Sequence, residues 1–170
     1  MVIPVFINVT EHPLLKTTKA DRRVMLTAAH RAMALTWANR FLPVHFTPEA
    51  SHRYSHQARA PATVKRKRAL ARRGKALFGG EMDNVVTGRA MRSILGNQEI
   101  MANERKGTAT IRPPRYFWMY RKDYRQPNKA AEVTRVADVE ILMLNEVGNT
   151  AIDHAASTLT TTKTTKFGSP

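Results

Sequence analysis

Seven of the eleven residues from Lys65 to Lys75 are Lys or Arg, and the stretch leading to them, from His45, holds almost no large aliphatic side chain before Leu70. No isolated core can be built from such a segment. Like charges packed at this density repel one another in a compact state, so an external anion or acidic surface must lower that cost. The remainder of the chain is ordinary by comparison. Hydrophobic residues make up 42% of the 170 positions, enough for a folded domain. The formal net charge of +15 is unevenly spread: residues 1–48 contribute +4, residues 49–76 +8, residues 77–128 +4 and residues 129–170 −1. More than half of the excess therefore lies in 28 residues, which marks the basic segment as a device rather than a general bias.

Around this segment the chain reads as folded elements. Val2 to Val9 has the β-branched and aromatic character of a strand, with Pro4 placing it at an edge. Thr18 followed by Asp21 is a helix start, a hydroxyl cap with an acidic side chain three residues on. From there Leu26, Ala29, Met33, Trp37 and Phe41 recur at helical intervals, predicting a helix over 19–41 that ends before Pro43. Pro61 opens a short helix that closes at Gly74. Thr108, Thr110 and Ile111 predict a strand cut off by Pro113 and Pro114, and Tyr116 to Tyr120 a second one. Residues 138–156 read as a helix that Gly148 should weaken or bend. The threonine-rich tail from Thr158 to Pro170 favours an added strand, reaching a neighbouring chain, over a helix. The stretch from about 45 to 80 reads as an arm or long loop, and 18 extended residues from Thr47 to Lys65 would span up to about 60 Å.

Composition narrows the chemistry. Cysteine is absent, which removes disulfides, thiol catalysis and cysteine-based metal sites. The N-terminal residues carry neither a basic n-region nor a cleavage site, and no run of 18 apolar residues exists, so neither a signal peptide nor a membrane anchor is expected. Asp83 with Glu104 and Lys106 has the residue types of a metal-dependent nuclease, but a turn into the strand at Thr108 explains Glu104-Arg105-Lys106 more simply. His52 and His56 lie four apart outside any helical pattern, with His45 or Glu49 as the only nearby third ligand, and read as surface histidines of a basic loop. Asp138 and Glu140 fall at the front of a helix, where they complement its dipole. No catalytic residues, metal or cofactor are expected, and the chain does not read as an enzyme. Lys65, Arg66, Lys67, Arg68, Arg72, Arg73 and Lys75 are the candidate DNA-binding or partner-docking residues, and the first six are expected to leave the core. The Lys65–Lys75 run contains no aromatic to stack bases, so it suits phosphate-backbone contact or docking on an acidic protein surface.

The stretch HFTPEASHRYSHQARAPATVKRKRALARRGKALFGGEMDNVVTGRAMRSIL resembles the head–tail joining and tail-completion (neck) proteins of tailed bacteriophages. The resemblance rests on Phe46 and Pro48, on Tyr54 in a basic loop, on Lys65 to Arg73, and on Thr87, Gly88, Arg92, Ser93 and Ile94. The later stretch NKAAEVTRVADVEILMLNEV is similar to that family's closing segment, so the likeness covers about residues 20–150. It implies an α+β domain. With the elements above, that is a small antiparallel sheet packed on two main helices with a long basic loop or arm, a single domain over 1–156 and a tail over 157–170. It also implies a structural virion protein, assembled in the host cytoplasm into a homo-oligomeric ring of six or twelve copies. That ring would lie in the neck between portal or adaptor proteins and tail proteins, leaving a channel for DNA, with no membrane partner. The alternative on charge alone is a ribosomal-type nucleic-acid-binding protein.

Overall fold

The computed structural model describes residues 18–56, 58–76, 88–96, 98–112 and 132–167, with side chains described up to Leu159 except that of Ala90. The strands expected over Val2–Val9 and Tyr116–Tyr120 lie outside the described residues, as do Asp83 and Thr87. The protein is α+β, with a small antiparallel sheet and two main helices. In chain order the elements are α1 (Lys19–Thr36), a π-turn (Trp37–Phe41), a 3-10 helix (Leu42–Phe46), α2 (Ala50–Arg53), α3 (Pro61–Arg72), α4 (Arg89–Gly96), β1 (Glu99–Asn103), β2 (Thr108–Arg112) and α5 (Asp138–Phe167). The fold groups into two compact units. Of the described residues, one holds those within 38–99 with Arg112 and 132–137; the other holds 18–37, 100–111 and 138–167.

The second of these units is built on two long helices. The expected cap forms in full: the Asp21 N–H donates to Thr18 Oγ1 at 3.2 Å, and the Thr18 N–H donates to Asp21 Oδ2 at 2.9 Å. Two of the orphan donors at the helix start are thereby satisfied. Met25, Ala29 and Met33, four residues apart, form the buried row of α1, whereas Leu26 is only half-buried. The facing helix α5 buries Glu140, Leu144 and Gly148 at the same spacing, and the two helices pack on each other. Gly148 does not interrupt α5. A β-carbon there would stand 3.1 Å from Met33 Sδ, so the glycine permits close approach of the helices.

The hairpin β1–β2 completes the unit. Its turn, Glu104 to Gly107, is closed by the Lys106 N–H, which donates to Asn103 O at 3.1 Å. Gly107 adopts φ 63°, and a β-carbon on it would lie 3.2 Å from Leu26 Cβ, so the turn seats directly on α1. The partner of the expected strand at Thr108 is thus Glu99–Asn103. The C-terminal tail departs from expectation: α5 continues through Thr158 to Phe167 as helix, not as an added strand. The Ser157 and Thr158 hydroxyls donate to His154 O at 2.8 and 2.9 Å, and that of Thr150 donates to Glu146 O at 3.0 Å. Hydroxyls bonded back in this way fit inside a continuous helix.

Between α1 and the 3-10 helix the chain passes from one unit into the other through the π-turn. Pro43 lacks the N–H that a continuing α-helix would need and falls in the first turn of the 3-10 helix instead. Widening the preceding turn lets Trp37, Ala38, Phe41 and Leu42 all bury. Trp37→Ala, a large-to-small change at a fully enclosed position, should lower the unfolding free energy by about 3–5 kcal/mol. Urea unfolding followed by circular dichroism measures it; a loss under about 1 kcal/mol would contradict the packing described.

Candidate functional site

The basic run folds as α3. Ala60 and Pro61 open the helix, with the Thr63 and Val64 N–H groups donating to Ala60 O at 2.8 and 3.2 Å. It closes in a Schellman arrangement: the Gly74 N–H donates to Ala71 O at 2.9 Å and the Lys75 N–H to Leu70 O at 2.9 Å. Gly74 supplies the left-handed residue this motif needs, at φ 64°. Thr63, Val64, Lys67, Leu70 and Ala71 form the covered side, while Lys65, Arg66, Arg68 and Arg72 line the exposed one, which the C-cap residue Arg73 continues, with Lys75 just beyond. At helical spacing these five cations occupy about 160° of arc.

One of the predicted residues does not belong to that face. Lys67 was expected to leave the core with its neighbours, yet it is 6% exposed and lies on the covered side of α3. The helical period separates it from Lys65 and Arg66, and its long apolar stem suits a covered position. The extent of the arm also needs correction. Residues 45–56 are anchored in the core: His45, Phe46, Ala50 and Tyr54 are buried in their unit together with Phe41, Leu42, Ile94 and Val133, while most of the residues between them face solvent. Aromatic and imidazole rings supply here the area that aliphatic residues do not.

Tyr54 organises this core. Its ring stacks on His45 with centroids 3.6 Å apart and planes 15° from parallel, and His56 lies on it at 6.2 Å and 22°. The chain reverses between them at Ser55, which takes the left-handed φ of 49°. Arg53 covers the Tyr54 ring at 5.8 Å. The Tyr54 carbonyl accepts from Arg135 Nη1 at 3.1 Å, and Arg59 grips Glu132 through two bonds of 3.2 and 2.6 Å. Both side chains of that ion pair are nearly buried. Two residues after Arg59 the basic helix begins, so this cluster fixes its root.

Burial lowers the His45 pKa from 6.5 to about 3, with the nearby His56 and Arg53 adding to the shift and the main chain at Glu132 and Arg135 opposing it. His45 is therefore neutral in the folded protein at ordinary pH. His52 is exposed, and α2 ends at Arg53, so His52 and His56 do not share a helix. Among the described residues no group of three or more His, Asp or Glu could hold a metal ion. Glu104 and Lys106 lie on the exposed hairpin turn. Nor is any helix among the described residues long and apolar enough to cross a membrane.

The residues carrying the family resemblance divide cleanly. Phe46, Tyr54, Gly88 and Ile94 are buried, and Gly88 precedes α4 at φ 73°, its carbonyl accepting the Arg92 N–H at 2.9 Å. Helix α4 packs on the 3-10 helix. Pro48 and Arg92 are exposed and Ser93 is half-buried. Arg59, Glu132 and Arg135 escape sequence reasoning because their partners lie 73 and 81 residues away.

Two outcomes follow. Glu132→Ala removes the carboxylate that the buried Arg59 guanidinium grips and should cost about 3–5 kcal/mol, whereas replacing the pair by Arg59→Met with Glu132→Leu should cost much less. Denaturant melts of the three variants measure this. The second concerns pH. Unfolded His45 takes up a proton near pH 6.5 and the folded residue only near pH 3, so between these values the unfolded state holds the extra proton. Stability from this group is complete above pH 6.5 and declines as pH falls toward 3, by about 1.4 kcal/mol per pH unit. His45→Gln should flatten the pH dependence of the unfolding free energy across that window; an unchanged slope would contradict the assignment. Compared with family models, curated proteins and solved structures, the chain matches none.

Proposed function

We propose that the protein is a structural component of a phage neck, forming a ring that joins the portal side of the head to the tail and leaves a channel for DNA. The observation that carries this reading is α3: a rigid helix, rooted in a buried ion pair, that turns five cations outward with no acidic residue of its own. Phe46, Tyr54, Gly88 and Ile94, which carry the phage-like resemblance, are buried in the unit from which that helix emerges, which agrees with a packed frame presenting a docking element. The basic face suits an acidic protein surface better than DNA, because a channel that DNA must leave quickly should not hold it tightly. Portal or adaptor proteins, tail proteins and further copies of the chain are the partners this implies.

The mass of the native particle tests the reading. A closed ring with a central hole in electron micrographs is expected; a monomer at every concentration that binds RNA with a steep salt dependence would replace it with a ribosomal-type function. Arg66→Ala with Arg72→Ala should abolish head–tail joining while leaving the salt slope of DNA binding unchanged. A slope reduced by about one unit per lost contact would instead place phosphates on α3.

A further inference from the structure

The exposed face of α5 has the opposite character to that of α3. Leu142 is 69% exposed, Val139 53% and Met143 38%, an apolar patch on the surface of a helix. Asp138 and Glu146 flank Leu142 four residues to either side and are exposed, as is Asp153 further along. From Asp138 to Thr162 there is no Lys or Arg. On α3 the matching positions Lys65, Ala69 and Arg73 are all exposed and also four residues apart. Each row therefore covers about 12 Å along one helix face, acid–Leu–acid on α5 and cation–Ala–cation on α3. The small side chain at Ala69 leaves room between its cations where the large one at Leu142 projects between its acids.

We propose that the α5 row Asp138–Leu142–Glu146 of one copy docks on the α3 row Lys65–Ala69–Arg73 of the next copy. This rests on the ring reading and names the contact that closes it. Charge selects the pairing. Two α3 faces repel each other, as do two α5 faces, so a two-fold self-contact through either helix is disfavoured. Only α3 against α5 is attractive, and where that contact is not returned within the same interface it is head-to-tail, the kind that propagates and closes into a ring. Leu142 and its apolar neighbours supply the desolvated centre, and the charges supply the register.

Charge reversal and crosslinking test the contact on the full chain. Lys65→Glu with Arg73→Glu, and separately Asp138→Lys with Glu146→Lys, should each weaken self-association about ten-fold or more. An equimolar mixture of the two variants should restore rings, since each then offers the other a complementary face. Ala69→Cys with Leu142→Cys, in a chain that has no other cysteine, should give a ladder of disulfide-linked multimers on a denaturing gel after mild oxidation. All four positions for reversal, and both for cysteine, are exposed, and circular dichroism checks folding of each variant. Wild-type rings that persist in both reversed variants, with no ladder, overturn this contact and leave the ring. A crosslink confined to monomers overturns it as well, by placing the pairing within one chain. A wild-type protein that stays monomeric and yields no ladder overturns both the contact and the ring.

Discussion

No carboxylate occurs between Glu49 and Glu81, so every cation in that span must find its counter-charge, or its solvent, outside its own neighbourhood. The fold answers this residue by residue. Arg59 reaches Glu132, 73 positions away, in a nearly buried bidentate pair. Arg53 lies over the Tyr54 ring, and Lys67 turns to the covered side of α3. The cations left over point outward together, because the helical period gathers whatever the covered side does not take. A basic surface of this shape follows from the sequence spacing as soon as α3 forms, and α3 forms where Pro61 and Gly74 bound it.

The Arg59–Glu132 pair stabilises little in net terms when set against an apolar replacement. Its consequence is geometric, since it ties residues 53–59 to residues 132–135 beside the stacked rings of His45 and Tyr54. His45 adds a condition to that tie. Held neutral by burial, it resists protonation until far below its ordinary range, so acid acts against the same cluster that roots the basic helix.

What the sequence disclosed was local. Thr18 and Asp21 satisfy each other within one turn, and Pro61 and Gly74 mark the two ends of α3. Each of these effects acts over a few residues, and each forms as read. The failures share the opposite property. Gly148 looked like a weak point in a helix because its reason, Met33, lies on another element. Threonine propensity points to a strand after Thr158, yet α5 runs on as helix, and the Thr158 hydroxyl itself returns to the carbonyl four residues back. His45 and Tyr54 read as loop residues because a stacked pair of polar rings carries no hydropathy signal, although both are almost wholly buried. Lys67 was grouped with its neighbours by count, when only the period of the helix distinguishes it.

The same distinction between local and distant bears on how the protein meets others. The excess of basic charge in residues 49–76 and the slight excess of acid after residue 128 are plain in the chain, but they describe net charge alone. Placed on helices, they become two rows with one spacing and opposite sign, Lys65–Ala69–Arg73 and Asp138–Leu142–Glu146, each exposed. Like charges disfavour a two-fold contact of either row with the same row of another copy. A chain with such rows lowers its electrostatic cost by meeting a copy of itself through unlike faces. In the proposed contact, charge asymmetry along the sequence becomes direction between copies.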